Sequence, residues 1–178
     1  SIVGAYDELM GDNGYGIRIN LYYPYDSDEM IVTGNIDNGR RGIGRYQLLL
    51  TNAELRNPFL QLYRGVEKSN LCIEQIPLMS LYTSGSDADK IRAYKLEARF
   101  LRALSYWHAL DLFGNVTFVT EEDAIGAFLP EQISRADLFS YLESECKAIE
   151  AELPAPKQNQ YGRADKAAVW MLLANLYL

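Results

Sequence analysis

Residues 90–121 read KIRAYKLEARFLRALSYWHALDLFGNVTFVTE, and this stretch decides the fold. It follows a polar run, Thr83-Ser84-Gly85-Ser86-Asp87. Ser86 or Asp87 can cap a helix there, and Asp87 and Asp89 sit where the helix dipole favours negative charge. Neither Pro nor Gly interrupts until Gly114, which stands where a helix takes a left-handed residue just past its end. Ala93, Ala98, Ala103 and Ala109 keep the helix slim. Tyr94, Leu96, Phe100, Leu101, Leu104, Trp107, Leu110 and Phe113 spread apolar surface round much of its circumference. A helix of that kind is central and buried. Val116 to Val119 reads as a short extended piece.

Helical patterns flank this stretch on both sides. Residues 1–12 read as a short helix with Val3, Tyr6, Leu9 and Met10 on one side. Tyr46 to Glu54 gives a modest helical pattern, and Asn57-Pro58 is expected to open a helix with Pro at its first position. Phe59, Leu62, Tyr63, Val66, Leu71 and Ile73 carry that helix to Ile76, where Pro77 ends it. Ser134 with Asp137 has capping-box spacing, and Leu138, Leu142, Cys146, Ile149 and Leu153 form a one-sided stripe that Pro154 stops. Asp165 caps a last helix, Lys166 to Leu178. The helix starts pair off at about 30 residues, near the ~34-residue period of tetratricopeptide units. Residues 13–45 differ: six glycines and four asparagines fall within them and no helical period does. The expected fold is all-α, a tetratricopeptide-like helical-repeat scaffold with a long irregular N-terminal loop, in one domain over 1–178. The last helix is apolar and lacks a terminator, so the chain is expected to be a fragment of a longer protein.

The chain has 178 residues, 48% hydrophobic and 23% charged, enough for a real core. Its net charge of −7 argues against nucleic acid and anionic membrane surfaces as partners. No apolar run reaches transmembrane length. Cys72 and Cys146 could form a disulfide or be two thiols, and buried thiols are the preferred reading; neither has metal-ligand or CxxC spacing. The single histidine, His108, lies inside the central helix and reads as a core residue, and no nucleophile triad can be built without it. Gly39-Arg40-Arg41-Gly42-Ile43-Gly44 lacks the Lys and the strand–helix setting of a phosphate loop. No catalytic residue, metal or cofactor is therefore assigned, and the protein is expected to bind rather than catalyse. Lys95, Arg99 and Arg102 form a basic stripe whose like charges repel, so an acidic partner should face it. The helix carrying Glu143, Glu145 and Glu150 is the candidate.

The N-terminal loop holds the best binding residues. Sugars present apolar CH faces ringed by hydroxyls, and proteins hold them by stacking an aromatic ring and hydrogen-bonding the rim. Of the chain's aromatics, 13 are Tyr. The loop gathers Tyr22, Tyr23, Tyr25 and Tyr46 with Asp28, Asn38, Arg40 and Arg41, and these eight are the candidate ligand-binding residues.

The 90–121 stretch also resembles the SusD/RagB family, in which an EAR-x-LRA helix runs into an aromatic segment, then F-G, then V-P-x-V-T-E. Glu97-Ala98-Arg99, Leu101-Arg102-Ala103, Phe113-Gly114 and Val119-Thr120-Glu121 fit; Thr117 stands where the family has Pro. FLQLYRGVEKSNLCIEQI, from Phe59, is similar to the family's W-x-x-x-Y-x-x-I-x-x-A-N-x-x-I helix through Phe59, Tyr63, Val66, Ser69, Asn70 and Ile73. Ser27-Asp28-Glu29 matches an S-D-E element, and the match is weakest over 13–45. The resemblance implies the N-terminal portion of an outward-facing outer-membrane nutrient-binding lipoprotein. Its lipid anchor would lie outside this chain, and it would pass oligosaccharides or another nutrient to a SusC-type TonB-dependent transporter. A soluble tetratricopeptide-like adaptor for peptides or proteins stands as the alternative.

Overall fold

The central helix is α5, Ala88–Phe113, and its buried side chains point to every side, from Ile91 and Phe100 to Tyr106 and Leu110. The computed structural model describes the chain except residues 26, 28, 29, 32, 34–37, 48, 50, 86 and 124–128. Among the described residues the other helices are α1 (Ile2–Met10), α2 (Arg18–Tyr25), α3 (Asn38–Ile43), α4 (Ala53–Gln75), α6 (Arg135–Glu152) and α7 (Lys166–Tyr177). Two short 3-10 turns, Ile76–Leu78 and Ser80–Tyr82, link α4 to α5. β1 (Val116–Thr117) pairs antiparallel with β2 (Gln132–Ile133), with Val116 opposite Ile133.

α4 and α5 run antiparallel, since Gly65 faces Ser105 while Asn70 meets Arg102. They approach closely at Gly65, where a Cβ would fall 2.9 Å from the Ser105 hydroxyl. α6 and α7 are antiparallel too, with Trp170 donating to Glu150 and Tyr177 to Glu143. Two successive antiparallel pairs make the tetratricopeptide-like scaffold. α1 lies across α4 and α5, its Leu9 and Ala5 in the same core as Leu62, Ala98, Leu101 and Leu142.

Charge inside this bundle is paired. Arg102 is 4% exposed and meets Glu121, Glu145 and Asn70. Arg99 makes a two-pronged contact with Glu145, at 2.8 and 2.6 Å. The basic stripe on α5 thus faces Glu145 of α6, as its charge pattern requires, and Glu121 adds a second carboxylate. Burial alone would raise the Glu145 pKa, but Arg99 and Arg102 outweigh it and hold the carboxyl below its ordinary value. Glu97 is fully buried and accepts from Tyr6 of α1 at 2.6 Å, Asn159 at 3.0 Å and Arg163 at 2.9 Å. One carboxylate therefore ties three segments together. Cys72 and Cys146 are free, buried thiols.

Three local readings change. α4 begins at Ala53, with Pro58 inside it, because the Asn52 side chain accepts from the Glu54 amide at 2.9 Å and supplies a cap upstream of Pro58. Just before it, the described residues from Tyr46 to Asn52 are not helical, and Tyr46 is left-handed at φ 54. The N-terminal loop is irregular but carries two short helices, α2 and α3. Of the two residues read as caps of α5, Asp87 is the observed one, without a side-chain hydrogen bond, and Ser86 lies outside the described residues.

Candidate ligand-binding face

α2 and α3 fold over the start of α4 around a small core of their own. Tyr22, Tyr25 and Ile43 are buried together against Leu21, Leu55 and Leu112. Tyr22 and Tyr25 are three apart and so share the inner side of α2. Tyr23 points the other way, half-exposed, and its hydroxyl donates to Asp111 of α5 at 2.7 Å. Burial first, then Asp111, raises the Tyr23 pKa, so the ring carries a neutral hydroxyl at any working pH. The Tyr22 hydroxyl is buried and has no partner among the described residues.

A buried carboxylate organises the polar side. Glu54, in the first turn of α4, meets Arg18 of α2 at 3.2 Å and Arg40 of α3 at 3.4 Å. Arg18 also reaches Asn13. The Asn52 amide donates to the Gly39 carbonyl at 3.0 Å, fixing α3 to the cap of α4. Between them opens a cavity of about 230 Å³, walled by Asn38, Gln47, Leu49, Thr51, Asn52 and Glu54. Beside it Tyr46 stands 74% exposed.

The eight candidate residues therefore divide. Tyr22 and Tyr25 sit in the small core, Arg40 is engaged with Glu54, and Arg41 is half-buried on α3. Asn38, Tyr23 and Tyr46 reach the surface. Asp28 lies outside the described residues. Arg18, Asn52, Glu54 and Asp111 were not anticipated. Asn52 alone left a signal, an Asn directly before a helical run. The rest are paired across the chain, which no local pattern reveals.

Other clefts are roomier. One of about 470 Å³, between Phe118 and Asp137, borders the undescribed residues 124–128. Another of about 490 Å³ lies between α5 and the α6–α7 connector, but at its wall Asn159 and Arg163 already donate to Glu97. His108 is buried on α5 and shares a hydrogen bond with the Tyr15 hydroxyl through Nε2, while Nδ1 has no partner among the described residues. Burial lowers its pKa to about 4. Among the described residues no group of His, Cys, Asp and Glu could hold a metal ion, and no helix is long and apolar enough to cross a membrane.

No family model matches the chain. The starch-binding protein SusD of Bacteroides thetaiotaomicron is 44% identical to it over 120 residues, which is 67% of this chain and 20% of SusD. The chain belongs to the SusD family. SusD-like protein P25 of Formosa agariphila is 25% identical over 194 residues, 100% of this chain and 35% of that protein. The crystal structure of a SusD homologue from Bacteroides thetaiotaomicron superposes with a TM-score of 0.85 at 23% identity, over 99% of this chain and 34% of that one. This SusD-like chain thus spans between about a fifth and a third of the length of the curated relatives it matches.

Proposed function

We propose that the protein binds glycans at the cell surface without transforming them, and delivers them to a SusC-type TonB-dependent transporter in the outer membrane. A lipid anchor outside this chain would hold it there. The observation that carries this reading is the 44% identity to a protein named for binding starch. The N-terminal face supplies the matching chemistry. It offers exposed tyrosine rings with amides, a carboxylate and arginines around them, the combination that suits a surface half apolar and half hydroxylated. Of the loop set Tyr22, Tyr23, Tyr25, Asp28, Asn38, Arg40, Arg41 and Tyr46, the outward-facing Tyr23 and Tyr46 make the stacking contacts we assign and Asp28, Asn38, Arg40 and Arg41 the polar ones, while the buried Tyr22 and Tyr25 shape the face from beneath.

The test is a glycan array followed by calorimetric titration of variants. Tyr23→Ala should weaken binding several-fold to about tenfold, since a stacked ring contributes roughly 0.5–1.5 kcal/mol beyond its burial. Tyr25→Ala should instead lower the melting temperature, because its ring is part of the small core. A protein that binds no glycan on the array would end this reading.

A further inference from the structure

The outer edge of α4 is a regular row. Leu60, Arg64, Glu67, Leu71 and Glu74 are all exposed, while Leu62, Val66, Ser69 and Ile73 are buried on its inner side. Steps of four and three alternate along the row, which is the 3.5-residue spacing of a seam between two helices. Leu60 is 44% exposed and Leu71 41%, and Leu78, just past the helix, is 74% exposed. Other charges of this helix are engaged within the chain, Glu54 with Arg18 and Arg40, and Lys68 with Glu8. Arg64 and Glu67, between the two leucines, enter no ion pair among the described residues.

The order of the row says what covers it. Turned end for end about the point between Gly65 and Val66, the row meets itself with complementary partners. Leu60 falls on Leu71, Arg64 on Glu67, Asn57 on Glu74 and Ala53 on Leu78. In an antiparallel pair of copies, leucine therefore meets leucine at both outer positions and arginine meets glutamate at both inner ones. A parallel pair would set Arg64 against Arg64 and Glu67 against Glu67, and like charges repel. An interface in which each residue meets its complement on the other copy is that of a two-fold dimer. We propose that the outer edge of α4 is a self-association surface, on which a second copy of this chain packs antiparallel with Leu60 against Leu71 and Arg64 against Glu67. A seam this short makes a weak, concentration-dependent dimer. Its charged middle sets the direction of pairing, and the leucines supply the apolar contact. The dimer does not depend on the glycan-binding reading.

Sedimentation equilibrium of the intact protein over a range of concentrations reads the association. The parent should pass from monomer to dimer as concentration rises. Arg64→Glu and Glu67→Arg each turn both inner contacts from attractive to repulsive, and each should weaken the dimer about tenfold or more. Circular dichroism should not change in either variant, since both side chains are exposed. A one-to-one mixture of the two variants should associate again, because opposite charges then face each other across the seam. The double variant Arg64→Glu/Glu67→Arg should likewise recover the parent's dissociation constant to within about twofold. A parent that stays monomeric at every concentration overturns the proposal and leaves the edge to a different occupant. A dimer indifferent to the single variants, or one that neither the mixture nor the double variant restores, overturns it as well.

Discussion

Tyrosines in the helical bundle and tyrosines in the segment between α1 and α4 are treated differently. In the bundle, Tyr6 donates to Glu97, Tyr63 to the Thr117 carbonyl and Tyr106 to the Val119 carbonyl, so these rings are buried or partly buried and their hydroxyls are paired. Two bundle tyrosines depart from this: Tyr177 is exposed, and the Tyr141 hydroxyl has no partner among the described residues, its ring lying 6.0 Å from the Arg102 guanidinium. In the N-terminal segment the buried Tyr22 hydroxyl has no partner among the described residues, Tyr23 is half-exposed and Tyr46 is exposed on a left-handed backbone. Folding stability accounts for the first group. It does not account for the Tyr22 hydroxyl or for the left-handed backbone of Tyr46, because both oppose folding. Residues that cost stability are where ligand contact is to be sought.

The largest effect belongs to the bundle. Glu97→Ala leaves the Arg163 guanidinium, the Tyr6 hydroxyl and the Asn159 amide without their shared acceptor. Loss of one partner from a buried ion pair costs about 3–5 kcal/mol, so the melting temperature should fall on the order of 10 °C. A fall of only a degree or two in a calorimetric scan would mean that the three segments are held by packing alone.

An intermediate effect joins the two regions, because His108 of α5 meets Tyr15 just before α2. Burial lowers its pKa from 6.5 to about 4, so the unfolded chain takes up the proton at a higher pH than the native one. The stability it contributes is complete above pH 6.5, declines as pH falls, and is lost by about pH 4. The shift corresponds to roughly 3 kcal/mol. The carboxylates titrate over the lower part of the same range, so the readout is the difference between denaturant unfolding of the parent and of His108→Gln. That difference should shrink between pH 7 and pH 4; a constant difference would show that the imidazole accepts a proton without opening the fold.

The smallest effect sharpens the contrast itself. Tyr22→Phe deletes a hydroxyl that has no partner among the described residues and keeps the ring in its core with Tyr25 and Ile43. Stability should hold or rise by up to ~1 kcal/mol. In the bundle Tyr106→Phe should lower stability by about the same amount, since that hydroxyl both donates to and accepts from Val119. Loss of stability in Tyr22→Phe would mean that the hydroxyl is satisfied after all.

The sequence by itself determined α1 and α5 to α7. Their boundaries follow from local chemistry: the Ser134–Asp137 box, the Asp165 cap, the Gly114 stop and the 3.6-residue apolar period act within a few residues of one another. It also required an acidic partner for the α5 stripe, because like charges on one helix face need one. The choice of Glu145 and Glu121 was tertiary, since only the antiparallel packing of α5 and α6 and the return of the chain after β1 bring them to Arg102. The division of the loop tyrosines was tertiary as well. Tyr22, Tyr23 and Tyr25 lie within four residues and are chemically alike, and a 3.6-residue period has little room to declare itself in an eight-residue helix. Which ring faces the core was decided by where α2 meets Leu55 and Leu112. The left-handed turn at Tyr46 was hidden for a related reason. Sequence marks such turns by Gly, and here the hydrogen bonds from Gln47 to Gly42 and from Tyr46 to Ile43 impose one on a residue that does not favour it.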